Sequence, residues 1–140
     1  MTVVYSYYVL DLIHNGHLLQ LQNAKRLVGA DGRSVVGILT DEAVMEKKSK
    51  PALSFEERMR IAQAVGCVDL VVPQTTYSPL PNVWLIRPDV LMESASHSDG
   101  AIEEARRCMA EIGGRLIVTP YYPSQSSTHI KNGIRNRNGG

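Results

Sequence analysis

No charge sign dominates this chain of 140 residues: 15 basic residues stand against 14 acidic ones, a formal net charge of +1. A balance so close to neutral supplies no long-range field that would draw the protein to nucleic acid or to an anionic membrane. Neither partner is expected, and any phosphate must be met by a local arrangement of donors. Cysteine is scarce as well. Cys67 and Cys108 lie far apart in sequence and form no CxxC pair, zinc spacing or disulfide framework, so both are expected to be buried as small apolar side chains. No apolar run is long enough to cross a bilayer, and residues 1–10 contain no basic stretch of the kind that opens a secretory leader. These absences predict a cytoplasmic protein. With 44% hydrophobic residues the chain has material for one core without disulfide or metal staples, and one domain is expected.

What is present is an alternation of two hydrophobic rhythms. Residues 3–10 are apolar, aromatic and β-branched, which predicts a strand that stops at Asp11 and the polar run His14-Asn15-Gly16-His17. Leu18, Leu19, Leu21, Ala24, Leu27 and Val28 then recur at helical spacing up to Gly29. Further strands are predicted over 34–40, 68–72, 89–92 and 115–119. Helices are predicted from the capping box Ser54-Phe55-Glu56-Glu57 to about residue 65, over 99–112, and over 126–134. Such alternation, with right-handed crossovers, predicts an α/β fold: a Rossmann-like parallel sheet of about five strands with helices on both faces. Residues 45–51 (MEKKSKP) and 73–81 (PQTTYSPLP) interrupt the rhythm as loops, where an α/β domain handles ligands. Residues 134–140 lack periodicity and are expected to be a tail or the beginning of an interdomain linker, which leaves 1–133 as the domain.

The predicted handover from first strand to first helix carries the chemistry. His14 and His17, three residues apart at a helix start, fall on one side of the first turn, where backbone N–H groups and the positive helix end already favour an anion. Gly16 between them leaves room for a phosphate to approach the backbone. The same pair also fits two surface histidines on a loop; zinc fits less well, since HNGH lacks a third protein ligand. Lys47, Lys48 and Lys50 form a basic turn that could close on a triphosphate and stabilise departing pyrophosphate, or simply stay solvated. Arg58 offers a forked donor for a phosphate, or a surface charge. Ser126, Ser127 and Thr128 open the last predicted helix as an N-cap with more hydroxyls than capping needs, and so suit a second anion site.

In their order these pieces resemble the HxGH cytidylyltransferases: D-L-I-H-N-G-H (11–17), G-I-L-T-D-E-A (37–43), F-E-E-R (55–58), V-D-L-V-V-P-Q (68–74), R-P-D (87–89), G-G-R-L-I (113–117) and S-S-T-H-I (126–130). Within that group the chain is most similar to the cytidylyltransferase domains that accompany phosphoenolpyruvate mutase in fosfomycin biosynthesis. The resemblance implies transfer of CMP from CTP to 2-hydroxyethylphosphonate with release of pyrophosphate, Mg²⁺ accompanying CTP, a homodimer, and a mutase domain joined after the tail. It implies His14 and His17 at the α-phosphate, Lys47, Lys48 or Lys50 on the outer phosphates, and Ser126, Ser127 and Thr128 opposite them. Val9, Leu10, Asp11 and Gly16 would border the nucleotide, with Asp11 near the metal. The chain departs from the pattern in three places. Tyr8-Val9-Leu10-Asp11 replaces G-T-F-D; Ser94-Ala95-Ser96-His97 replaces G-D-D-W, leaving Glu93, Ser94 and Ser96 as nucleotide contacts; and Tyr121-Tyr122-Pro123-Ser124 replaces R-T-x-G without its arginine. Two alternatives remain: an adenylyltransferase of the same superfamily, and a nucleotide-binding domain that has lost catalysis.

Overall fold

The computed structural model describes residues 1–120. In chain order the elements are β1 (Val3–Tyr8), α1 (Asn15–Val28), β2 (Arg33–Leu39), α2 (Asp41–Met45), α3 (Phe55–Ala64), β3 (Leu70–Gln74), α4 (Leu80–Ile86), β4 (Val90–Ser94), α5 (Asp99–Glu111) and β5 (Arg115–Thr119). The five strands form one sheet in the order β3-β2-β1-β4-β5, and every pairing is parallel. From β1 the chain winds outward to β3, then returns to the other side of β1 and winds outward again through β4 and β5. The crossovers diverge between β1 and β4, and a crevice opens there beyond the carboxyl ends of the strands.

Side chains alternate along β1, so each face receives its own core. Tyr8, with Leu21 of α1, Val36 and Ile38 of β2 and Ala62 of α3, fills one face, and Val4 joins Ala24, Val90 and Met92 beside it. Tyr5, with Val83 of α4, Leu91 and Ala105, Cys108 and Met109 of α5, fills the other. The expected α/β architecture with helices on both faces is therefore present. Each fully buried aliphatic or aromatic side chain contributes about 1.5–3 kcal/mol, which makes the central strands the least dispensable part of the sheet.

Several boundaries differ from the sequence reading. β1 stops at Tyr8 because Leu10 takes a left-handed conformation, φ 57°, that no strand continues. β3 begins at Leu70 rather than residue 68, since the Val68 amide closes a turn onto the Val65 carbonyl at 3.1 Å. Two short helices went unforeseen. Thr40 caps α2 by accepting from the Ala43 amide at 3.2 Å, with Asp41 and Glu42 in its first turn. α4 starts inside the expected 73–81 loop, with proline in its first turn, and ends at Arg87 with φ 52° before Pro88. Cys108 is buried as expected, and burial pushes its thiol up; Cys67 is only half-buried. Among the described residues no helix is long and apolar enough to cross a membrane.

Candidate active site

The crevice at the switch point is a cleft of about 590 Å³, bounded by the carboxyl end of β1, the start of α1, the chain after α2 and the chain after β4. Its sharpest feature is the start of α1. His14 is the N-cap, with φ −145° and ψ 177°, and its Nδ1 accepts the Gly16 amide at 3.0 Å. His17 reaches back so that its Nδ1 accepts the His14 amide at 3.4 Å. This is a reciprocal capping box built from imidazoles in place of hydroxyl and carboxylate. An acceptor nitrogen carries no proton, so in both neutral rings the hydrogen sits on Nε2.

Burial holds both rings in that neutral form. It lowers the pKa of His14, and it lowers that of His17 to about 4, with the neighbouring His14 charge adding to the effect. The ring centroids are 4.1 Å apart, and the Tyr8 and His17 rings stand nearly perpendicular with centroids 6.2 Å apart. Two N–H donors on one turn of helix, at its positive end, form an anion receptor that needs no protonation. Gly16 is buried beside them and lines the same cleft, as do Val9, Leu10 and Asp11.

Two expected ligand residues have structural positions instead. Arg58 is fully buried: Nη1 donates to the carbonyls of Val9 at 2.9 Å and Leu39 at 2.7 Å, Nη2 to Asp41 Oδ1 at 2.8 Å, and Nε to the Leu53 carbonyl at 3.3 Å. Its fork ties the chain leaving β1 to the chain leaving β2, and it does not line the cleft, which corrects the phosphate contact expected of it. Glu93 is 3% exposed and does not line the cleft, but borders a second cavity beside it. Its carboxylate accepts the Tyr7 hydroxyl at 2.7 and 2.8 Å, and its Oε2 lies 2.5 Å from His97 Nδ1. Asp11 accepts the amides of Leu53 at 2.8 Å and Ala52 at 3.0 Å, fastening the approach to α3 to the cleft floor.

The basic turn divides. Lys48 and Lys50 line the cleft, whereas Lys47 faces an adjoining cavity of about 350 Å³, its ammonium 5.3 Å from the Tyr77 ring centre. Ser94 and Ser96 line the cleft and share a hydrogen bond at 2.8 Å. Ser126, Ser127, Thr128, the predicted last helix and the tail lie outside the described residues. Sequence reasoning missed Tyr7, Tyr77 and His97, which separate the two cavities. Strand alternation could have placed Tyr7 on the opposite face from Tyr8, and a titratable His97 at the position of the family tryptophan was a signal left unused.

A model of the cytidylyltransferase-like family matches residues 9–133. Among curated proteins the chain is 30% identical over 135 residues to the bifunctional protein HldE of Hydrogenovibrio crunogenus, covering 95% of this chain and 27% of that protein. It is 32% identical over 133 residues to the HldE of Magnetococcus marinus, covering 91% and 26%. The chain therefore spans about a quarter of the length of these relatives. Among solved structures, the lipopolysaccharide core biosynthesis protein of Thermoplasma volcanium superposes with a TM-score of 0.71 at 20% identity, covering 87% of this chain and 97% of that one. At that identity the likeness is one of fold.

Proposed function

Because the chain belongs to the cytidylyltransferase-like family, we propose that its cleft moves CMP from CTP to an oxygen of a small phosphonate, with pyrophosphate leaving. The acceptor suggested by the motif resemblance is 2-hydroxyethylphosphonate. The observation that carries the reading is the occupied Nδ1 of both His14 and His17, which leaves two neutral Nε2–H donors at the start of α1. The acceptor oxyanion attacks the α-phosphorus as the bridging bond to the β-phosphate breaks, and charge grows on the equatorial oxygens. Two fixed donors strengthen as that charge develops, and neutral rings do so without a competing proton equilibrium. Lys48 and Lys50 meet the outer phosphates and the departing pyrophosphate.

Mg²⁺ is expected with the nucleotide. Among the described residues no three His, Cys, Asp or Glu side chains converge on a metal site. Asp11 lines the cleft with its carboxylate holding two amides, so the residues fit an ion carried mainly by the phosphates, with Asp11 as at most one protein ligand. Bound there, Mg²⁺ neutralises the crowded phosphate charge.

One observation favours a second donor base: Ser94, Ala95, Ser96 and His97 replace the G-D-D-W of the resembled group, so adenylyl transfer by the same machinery is the rival. The test is pyrophosphate release with Mg²⁺ from CTP or ATP against a panel of phosphate and phosphonate acceptors, with phosphorus NMR of the products. CTP-dependent release with 2-hydroxyethylphosphonate supports the reading, and preference for ATP replaces the base. Tight CTP binding without product would mean a domain that keeps the fold and has lost catalysis.

A further inference from the structure

His97 stands where the two cavities meet and lines both. Its Nδ1 faces the buried Glu93 carboxylate at 2.5 Å, with the Tyr7 phenol oxygen 3.1 Å away. The Tyr7 hydroxyl gives its own proton to Glu93. Burial first, and then the Glu93 charge, push that phenol far above its usual pKa, so it stays protonated. A carboxylate only accepts, hence the neutral tautomer that fits this contact carries its hydrogen on Nδ1 and presents a lone pair at Nε2. No described residue bonds to that nitrogen. The polarity is opposite to that of His14 and His17.

The cavity beyond His97 has Glu46, Glu93 and Glu104 on its walls against the single ammonium of Lys47. Ser98, the Tyr77 ring and the apolar side chains of Pro79 and Leu80 line it as well. Such a lining repels a second anionic group and suits a small tail that donates hydrogen bonds. Resting on the nucleotidyl-transfer reading above, we propose that the acceptor's organic tail enters this second cavity and donates a hydrogen bond to Nε2 of His97. The acceptor class is thus a small phosphate or phosphonate whose tail bears a hydroxyl or an ammonium and no second acid. Glu93 acts through His97 as a positioning residue: it fixes which nitrogen is bare.

Binding tests this without chemistry. With the full chain saturated by the non-hydrolysable α,β-methylene analogue of CTP and Mg²⁺, titration calorimetry compares 2-hydroxyethylphosphonate, 2-aminoethylphosphonate and ethylphosphonate. At least one of the first two should bind roughly tenfold tighter than ethylphosphonate, the worth of one good hydrogen bond. In His97→Ala, checked for folding by circular dichroism, that ratio should fall to about one. Equal affinity for all three, or none for any, overturns the inference and leaves the nucleotide reading standing. Failure of the CTP analogue to bind rejects the nucleotide reading itself. Long-range ¹H–¹⁵N spectra need no ligand at all: His97 protonated at Nε2 overturns the inference, whereas Nδ1–H supports it. Glu93→Gln, whose amide also donates, should shift His97 toward the Nε2–H form and lower the ratio as His97→Ala does.

Discussion

The two walls of the cleft set the same side chain against different partners, backbone amides on one and a buried carboxylate on the other. At the start of α1, the Nδ1 atoms of His14 and His17 receive backbone N–H groups, and both rings offer a proton outward. Beyond the end of β4, the Nδ1 of His97 lies against a buried carboxylate, and in the tautomer proposed above the ring offers a lone pair. The partner of the inward nitrogen decides the chemistry of the outward one, so a histidine in the sequence states no role until its backbone environment is known. On the readings proposed above, one wall receives growing negative charge and the other receives a donor.

The largest effect expected from breaking this contrast is on turnover. On the proposed reading, His14→Ala and His17→Ala each remove an N–H that meets the transition state and should lower kcat by about 10²–10³, as loss of an oxyanion donor does. Pyrophosphate release rates check this, and near-normal rates in both variants would reject the donor assignment. Next comes Arg58→Met, which leaves the buried Leu39 carbonyl and the part-buried Val9 carbonyl and Asp41 carboxylate without their partner. Leaving a buried carbonyl unsatisfied while solvent reaches Asp41 costs about 1–3 kcal/mol of stability, readable by urea unfolding. Amide exchange should rise first around residues 9–14 and 39–41 and not at Glu93 and His97. Equal loosening at both walls would show that they are not held independently.

Acid separates the walls in a third way. In the unfolded chain both helix histidines bind protons near the ordinary 6.5, whereas folded His17 does so at about 4 and folded His14 is lowered in the same direction. Between those values the unfolded state holds more protons. Stability is therefore fully present above about pH 6.5, declines as pH falls through the window, and levels off below the folded value. With allowance for the part exposure of His17, the loss is on the order of 2 kcal/mol. Urea midpoints measured across pH 7.5 to 4 check this, and His17→Gln, which cannot titrate, should flatten most of the slope. The depressed carboxyl of Asp69, held chiefly by the Lys25 ammonium and then by the Ser34 amide, contributes its own loss only at still lower pH.

Much of this was legible in the sequence where one local rule governs one local outcome. Period-two and helical patterns placed all five strands, and β5 fell on residues 115–119 as read. The His14-to-His17 spacing placed both rings on one turn because helix geometry alone fixes that. What escaped depends on packing between distant segments. Arg58 reads as a surface cation on a capped helix, and only the meeting of Val9, Leu39 and Asp41 around it turns it into a buried tie. Tyr7, Glu93 and His97 come from β1, β4 and the loop beyond, 86 and 90 residues apart, and nothing in their local patterns announces the contact. α2 and α4 were missed for a different reason. Five and seven residues are too few for periodicity to speak, though the Thr40 cap and the prolines of 79–81 were there to be read.

The smallest effect divides the lysines of a single turn. Lys48 faces the main cleft and Lys47 the adjoining cavity, although they are neighbours in sequence and both approach the Tyr77 ring, at 6.0 and 5.3 Å. If the triphosphate occupies the first cavity and the acceptor tail the second, their removal must register in different constants. Lys48→Ala should raise the KM for CTP by roughly fivefold, the worth of an exposed charge on a phosphate. Lys47→Ala should leave the KM for CTP within about twofold while making the second cavity more acidic, so that a tail carrying an ammonium gains on one carrying a hydroxyl. Steady-state kinetics with CTP and each acceptor varied in turn separate the two. Identical profiles for the two variants would mean one undivided site, and the distinction between donor wall and acceptor wall would then have to rest on the histidines alone.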